Sequence, residues 1–307
     1  MSDRVTLRHA VVFPPERIAA VPPGGRTPWR SFFSGKKCKG GCVKDPDDAV
    51  WIRVRAESEE MARSEPILAG FLRKAVLEHP SLERALANVL AGKLATTSLS
   101  AAALADVLDE ALSASSDAGE AVRRDLLAVL ERDPAARTLA VPLLNFKGFQ
   151  ALQCYRVAHW LWTQDRQPLA QYLQGRISEV FNVDIHPAAW IGKGILIDHG
   201  TSVVIGETAV VGDNVSMLHE VTLGGTGKES GDRHPKIGRG VLIGAGAKIL
   251  GNISIGEGSK VAAGSVVLTE VPAHSTVAGI PAKVVGRPKT AEPALSMDHA
   301  VEYDYCI

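Results

Sequence analysis

Apolar side chains recur at every sixth residue through the C-terminal half of the chain. Ile185, Ile191 and Ile197 are followed by Ile205, Val211, Met217 and Leu223, then by Ile237, Ile243, Ile249, Ile255, Val261 and Val267. Glycine often follows the aliphatic residue, as at Gly192, Gly206, Gly212, Gly238, Gly244 and Gly256. A period of six matches neither the repeat of a helix nor the alternation of a hairpin sheet. It predicts a parallel β-helix over residues 183–287, in which each hexapeptide gives one short strand and one corner and three strands close a coil.

The period breaks twice. Two extra residues precede Ile205 and eight precede Ile237, so the segment Gly227–Lys236 (GKESGDRHPK) is thrown out from a corner. Over residues 47–182 the spacing is helical instead, with apolar sets at Leu82, Leu86, Val89 and Leu90, at Leu104, Val107, Leu108 and Leu112, at Val122, Leu126, Val129 and Leu130, and at Leu169, Leu173, Ile177 and Val180. This predicts an N-terminal α-helical domain of five to eight segments. It would cover the open edge of the first coil and offer an oligomer contact. Residues 288–307 carry no repeat and read as a flexible C-terminal tail. The fold class is therefore α+β.

Composition narrows the function. Lys plus Arg balances Asp plus Glu at 34 each, which gives no overall pull toward nucleic acid. No apolar run is long enough for a membrane-spanning helix, and no secretory segment is expected at the start. Cys38, Cys42, Cys154 and Cys306 read as free thiols of a reduced protein, because the lone CxxxC lacks two further zinc ligands. Residues 1–46 read as a disordered basic extension. The location expected is the cytoplasm, or a plastid or mitochondrion if that extension acts as a transit segment.

The repeat also places candidate chemistry. Ile197 and Met217 occupy the third side of successive coils, and His199 and His219 each follow by two residues. The two histidines should stack about 4.8 Å apart. Asp198 adjoins His199, and Asp184 stands at the corner where side three meets side one, within reach of it. A carboxylate on one ring nitrogen fixes the tautomer and raises the basicity of the other. A general base that removes a hydroxyl proton needs that arrangement. A purely structural corner histidine is the plainer alternative. In the extruded loop Arg233 offers a planar fork to a carboxylate, with His234 beside it. The run Leu223-Gly224-Gly225-Thr226-Gly227-Lys228 lacks the spacing and following helix of a P-loop, and its glycines instead admit close approach of a ligand. Ala245, Gly246, Ala263 and Gly264 leave shallow corners.

The segments VDIHPAAWIGKGILIDH (183–199), VIGETAVVGDNVSMLHEVTLGGTGKESGDRHPKIG (204–238) and IGAGAKILGNISIGEGSK (243–260) resemble serine O-acetyltransferase of the plant-like type. So do ERDPA (131–135) and FKGFQALQCYRVAHWLW (146–162) in the helical part. The resemblance implies a left-handed β-helix, trimers paired into a homo-hexamer, and acetyl transfer from acetyl-CoA to L-serine as the committing step of cysteine biosynthesis. It implies that His199 is the catalytic base, oriented by Asp184. Asp133, Asp198 and Arg233, with His234, would hold serine or the feedback inhibitor L-cysteine. Gly225, Ala245, Gly246, Ala263 and Gly264 match the region that binds acetyl-CoA, and Ile307 the end that docks into O-acetylserine sulfhydrylase. No permanently bound cofactor and no metal are expected.

The sequence departs from the family's usual pattern at Gly200-Thr201-Ser202, at Glu220 and at the final Tyr305-Cys306-Ile307. Three other readings stand beside this one. They are a hexapeptide O-acetyltransferase with a different hydroxyl acceptor, a γ-carbonic-anhydrase-like site gathering His199, His219 and His234 on zinc, and a non-catalytic regulator of the sulfhydrylase.

Overall fold

The computed structural model describes residues 48–227 and 230–301. The readings placed on residues 1–46, on Cys38, Cys42 and Cys306, and on Ile307 lie outside the described residues.

Among the described residues eight α-helices precede the first strand: α1 (Ala49–Ser64), α2 (Ala69–Leu72), α3 (Leu82–Leu94), α4 (Ala101–Leu112), α5 (Ser116–Arg132), α6 (Ala140–Asn145), α7 (Lys147–Thr163) and α8 (Gln167–Phe181). Their starts follow local chemistry. The side chains of Asp48, Ser81, Ser100 and Ser115 accept from Trp51, Arg84, Ala103 and Ala118 backbone N–H groups, which would otherwise be orphaned. In α8 the buried line runs Leu173, Ile177, Phe181 at i, i+4 spacing. Val180, expected on that face, is exposed because Phe181 continues the line.

The six-residue pattern becomes a three-sided parallel β-helix. Side one stacks Val183–Ile185, Val203–Ile205, Thr222–Gly224, Lys248–Leu250 and Val266–Val267. Side two stacks Trp190–Ile191, Val210–Val211, Lys236–Ile237 and Ser254–Ile255. Side three stacks Leu196–Ile197, Ser216–Met217, Leu242–Ile243, Lys260–Val261 and Thr276–Gly279. Ile185 pairs with Ile205, Ile191 with Val211, and Ile197 with Met217. The register counted from the sequence is the observed one, and its aliphatic residues fill the core. The coil continues past Val267, where the six-residue spacing lapses. Val271 bridges to Ile255 and Val277 pairs with Val261. The strand Ala282–Gly286 then pairs antiparallel with Thr276–Gly279 and closes that end.

The opposite end is closed by helices. First-coil N–H groups donate onward to the second coil, as Trp190 N–H does to Ala209 and Gly192 N–H to Val211. On the side away from the second coil, the carbonyls of Pro187, Ala189, Ile191 and Gly192 have no strand to receive them. Helix α7 supplies the donors. Tyr155 Oη donates to Ala189 O at 2.5 Å, Arg156 to Gly192 O at 2.6 Å, and His159 Nδ1 to Pro187 O at 2.7 Å. Asp125 of α5, fully buried, accepts from Arg156 Nε (2.8 Å), Gln153 Nε2 (3.0 Å) and Ile195 N–H (3.0 Å).

The tail expected to be flexible is docked over its described part. Pro293–Ser296 forms a short helix, α9, with Pro293 and Ala294 buried. Arg132 NH1 donates to Ser216 Oγ at 3.1 Å, and Ser216 Oγ donates to Ala294 O at 2.9 Å. Lys260 Nζ donates to the carbonyls of Asp298 and Ala300. These anchors lie on the outer face of side three, and a six-residue repeat that encodes only inward residues does not reveal them.

Asp125→Ala strands the guanidinium of Arg156 without its carboxylate. It should lower unfolding stability by about 3–5 kcal/mol in urea titration. An unchanged midpoint would refute the anchoring role.

Candidate active site

Two corners of the solenoid carry the predicted residues. At the corner between sides three and one, the backbone enters the left-handed region at His199 (φ 56°), Gly200 (φ 73°) and Ser202 (φ 58°). Gly200 N–H closes a tight turn onto Asp198 O at 2.6 Å. The turn throws the His199 imidazole outward, where 73% of the side chain is exposed. Its ring meets that of His219 edge-on at 5.9 Å between centroids and 79° between planes. His219 Nδ1 is buried and has no hydrogen-bond partner.

The same corner continues through the next coils. Gly246 N–H donates to His219 O at 3.0 Å, and Gly264 N–H to Ala245 O at 2.8 Å. His199, His219, Ala245-Gly246 and Ala263-Gly264 thus form one row along the solenoid. A side chain at Gly264 would meet nothing within 4 Å, so the lower part of the row is open. Beside its upper part lies a cavity of about 480 Å³ lined by Asp133 at the end of α5, Asp198, Arg132, Leu196, Leu218, and Met297 and His299 of the tail.

Asp184 and His199, expected to touch, do not pair in this protomer. The Asp184 Oδ1 atom accepts from Gln174 Nε2 of α8 at 2.8 Å, and the carboxylate nearest His199 is that of Asp198, at 3.9 Å from Nε2. The outward turn at His199 carries its ring toward Asp198, while the strand holding Asp184 faces α8.

The second group stands at the corner between sides one and two, where the extruded loop leaves. His234 is nearly buried, and its Nδ1 accepts from Thr208 N–H (3.2 Å) and shares a hydrogen bond with Thr208 Oγ1 (2.9 Å). Because a backbone N–H can only donate, Nδ1 is the acceptor and the proton is on Nε2. Burial, then the charges of Arg233 and Lys236, hold the His234 pKa below its ordinary value. The neutral ring therefore offers an Nε2–H donor. Arg233 pairs with Glu207 at 2.7 Å, which aims its fork. Gly225 lies beneath both; a side chain there would sit 3.4 Å from Arg233 and 3.5 Å from His234 Nε2. Gly206 is tighter still, since a Cβ would fall 2.0 Å from the His234 ring.

Sequence reasoning missed Thr208, Glu207 and His186. His186 lies at the same corner, its Nδ1 accepting from Ala188 N–H at 3.0 Å and its ring edge-on to Trp162 at 5.2 Å. It follows Ile185 as Gly206 follows Ile205, a place in the repeat that could have been read.

Side one separates the two groups, so one protomer brings Asp133, Asp198, His199 and His219 together but not His234, Arg233 or Gly225. The three histidines of the zinc reading do not converge within the chain. Among the described residues no group of three or more His, Cys, Asp or Glu is placed to hold a metal ion. Among them, too, no helix is long and apolar enough to cross a membrane.

Known proteins share the sequence and fold of this chain. Residues 50–154 match the family model "Serine acetyltransferase, N-terminal", and residues 234–269 match "Bacterial transferase hexapeptide (six repeats)". The chain is 51% identical over 263 residues to serine acetyltransferase of Salmonella typhimurium, covering 83% of this chain and 96% of that one. It is 54% identical over 256 residues to serine acetyltransferase 2 of Arabidopsis thaliana, covering 83% and 79%. Similar solved structures include soybean serine acetyltransferase complexed with serine (TM-score 0.75, 58% identity, 77% of this chain and 97% of that). They also include the Brucella abortus enzyme with coenzyme A (0.77, 53%, 78% and 96%) and a serine acetyltransferase complex with cysteine (0.80, 50%, 82% and 98%).

By NMR titration of ¹⁵N-labelled imidazoles, the midpoint of His234 should fall below 6.5, the ordinary value of a histidine. Arg233→Gln should raise it by removing a cation. Since the folded state resists protonation, this group's contribution to stability is present above pH 6.5 and is lost as pH falls through its lowered folded pKa.

Proposed function

The chain belongs to the serine acetyltransferase family, and on that footing we propose that it moves the acetyl group of acetyl-CoA onto the hydroxyl of L-serine at the corner between sides three and one. The observation that carries the reading is the row there. A solvent-facing histidine stands above two bare small-residue corners and beside a cavity lined by Glu131, Asp133 and Asp198. Acetyl-CoA lies along Ala245, Gly246, Ala263 and Gly264. Serine enters the cavity with its ammonium toward Asp133 and Asp198.

In this mechanism His199 takes the proton from the serine hydroxyl, and the oxygen attacks the thioester carbonyl. The tetrahedral oxyanion collapses with cleavage of the C–S bond. The departing CoA sulfur receives the proton from His199, which leaves O-acetyl-L-serine and CoA. Asp184 serves as the orienting carboxylate once it exchanges Gln174 for His199; such contacts are often loose before substrate binds. Arg233 receives the serine carboxylate and His234 Nε2–H donates to the substrate. With L-cysteine, which shares serine's ammonium and carboxylate, the same cavity gives feedback inhibition.

Because His234, Arg233 and Gly225 stand on the other corner, they are proposed to come from a neighbouring copy whose corner between sides one and two faces this one. A ring of three copies repeats that pairing. Ile52, Ile67 and Phe71 are more than half exposed near the start of the helical domain, at 55%, 85% and 51%, and fit an apolar contact that pairs two rings into a hexamer. The tail ending in Ile307 is proposed to dock into O-acetylserine sulfhydrylase, on the strength of its likeness to the family's tail.

Thiol release from acetyl-CoA should require L-serine, fall with added L-cysteine, and drop by about 10²–10⁴-fold in His199→Ala. Near-normal turnover of that variant would overturn the role of His199. A larger rate with another hydroxyl acceptor would overturn the substrate. Sedimentation should give six copies.

A further inference from the structure

Little attached to the His199 ring fixes its direction. The side chain is largely exposed, its nearest carboxylate is 3.9 Å away, and its one ring contact is edge-on to His219. The imidazole is aimed by its backbone, which occupies the left-handed region that L-residues avoid. Something must hold that corner.

The start of α7 is wedged against it. A Cβ at Gly148 would fall 2.0 Å from Ile197 O, and one at Gly200 would fall 3.0 Å from the Cα of Gly148. Helix and corner are thus at the limit of approach, and only glycine fits at both faces. Immediately before Gly148, Lys147 Nζ donates to the hydroxyl of Thr201, two residues after His199. The backbone of that threonine is tied as well, its carbonyl accepting from Glu220 N–H at 2.7 Å. The flanking bonds are Ser202 N–H to Asn182 O at 2.8 Å and Val203 N–H to Gly200 O at 3.2 Å. Of the corner's side chains, Thr201 is held by Lys147 of α7, and Ser202 Oγ accepts a longer bond of 3.5 Å from Asn182 Nδ2 at the end of α8.

We propose that Lys147 is a positioning residue for acetyl transfer, acting through Thr201 to hold the left-handed turn that aims His199. The proposal rests on the reading of His199 as the base. Lys147 contacts no reacting atom, and its ammonium fixes where the imidazole stands relative to the acceptor hydroxyl. A displacement on the order of 1 Å at a reacting group can reduce rate about 100-fold.

The test compares steady-state acetyl transfer by full-length Lys147→Met, Lys147→Arg, Thr201→Val and the double variant K147M/T201V, with His199→Ala alongside. Lys147→Met and Thr201→Val should each lower kcat by roughly 10- to 100-fold with KM for serine changed less than about threefold. Lys147→Arg should restore most of the rate. The double variant should be no slower than either single one, because both remove the same bond. Melting temperature should stay near that of the parent. An active His199→Ala variant would remove the underlying reading. An inactive His199→Ala variant beside a Lys147→Met variant of normal kcat would overturn the positioning role alone. So would additive losses in the double variant, a loss of kcat that follows a lowered melting temperature, or a change confined to KM.

Discussion

The open end of the first coil is the constraint on which the rest of this structure depends. A strand inside a parallel β-helix bonds to a neighbour on each side, so the terminal coil is left with outward backbone carbonyls that no strand receives. Here Tyr155, Arg156 and His159, spaced along α7, supply the missing donors. Asp125 of α5 then neutralises Arg156 inside the junction and accepts from the first coil as well. The helical domain is therefore a lid bonded strand-fashion to the solenoid.

That bonding sets the geometry of the site. With α7 locked along the first coil, its N-terminus meets the corner of His199. With α5 locked beside it, the end of that helix brings Arg132 and Asp133 to the same corner. The tail adds a third wall, because Ser216 accepts from Arg132 and passes a bond to Ala294. A carboxylate-lined cavity beside a left-handed histidine thus follows from closing one edge. The glycines at 148 and 200 are its steric condition: backbone must approach backbone there, and a methyl group would not fit.

The other corner works by a different principle. Thr208 fixes His234 through its N–H and hydroxyl, and burial, then the neighbouring cations, holds the pKa of the ring below its ordinary value. An exposed, weakly held histidine and a nearly buried, tautomer-fixed one suit different tasks. The first stands open to an incoming hydroxyl, whereas the second presents an Nε2–H donor. Side one stands between them, so the two groups do not meet within a single chain.

The sequence by itself determined the solenoid, its register, the site of the extruded loop and the stacking of His199 on His219. A six-residue period leaves only one way to stack inward aliphatic residues. It also determined the helical character of residues 47–182, though Phe181 displaced Val180 where the buried line required it. Family likeness named Asp133, but nothing in residue spacing could place it. Only the tertiary structure decided that Asp133 faces Asp198, that Asp184 holds Gln174, that the described tail is docked, and that Lys147 grips Thr201. These are contacts between outward-facing side chains of elements far apart in the chain. Periodicity encodes which residues turn inward, and the angles at which finished elements meet decide what the outward ones touch.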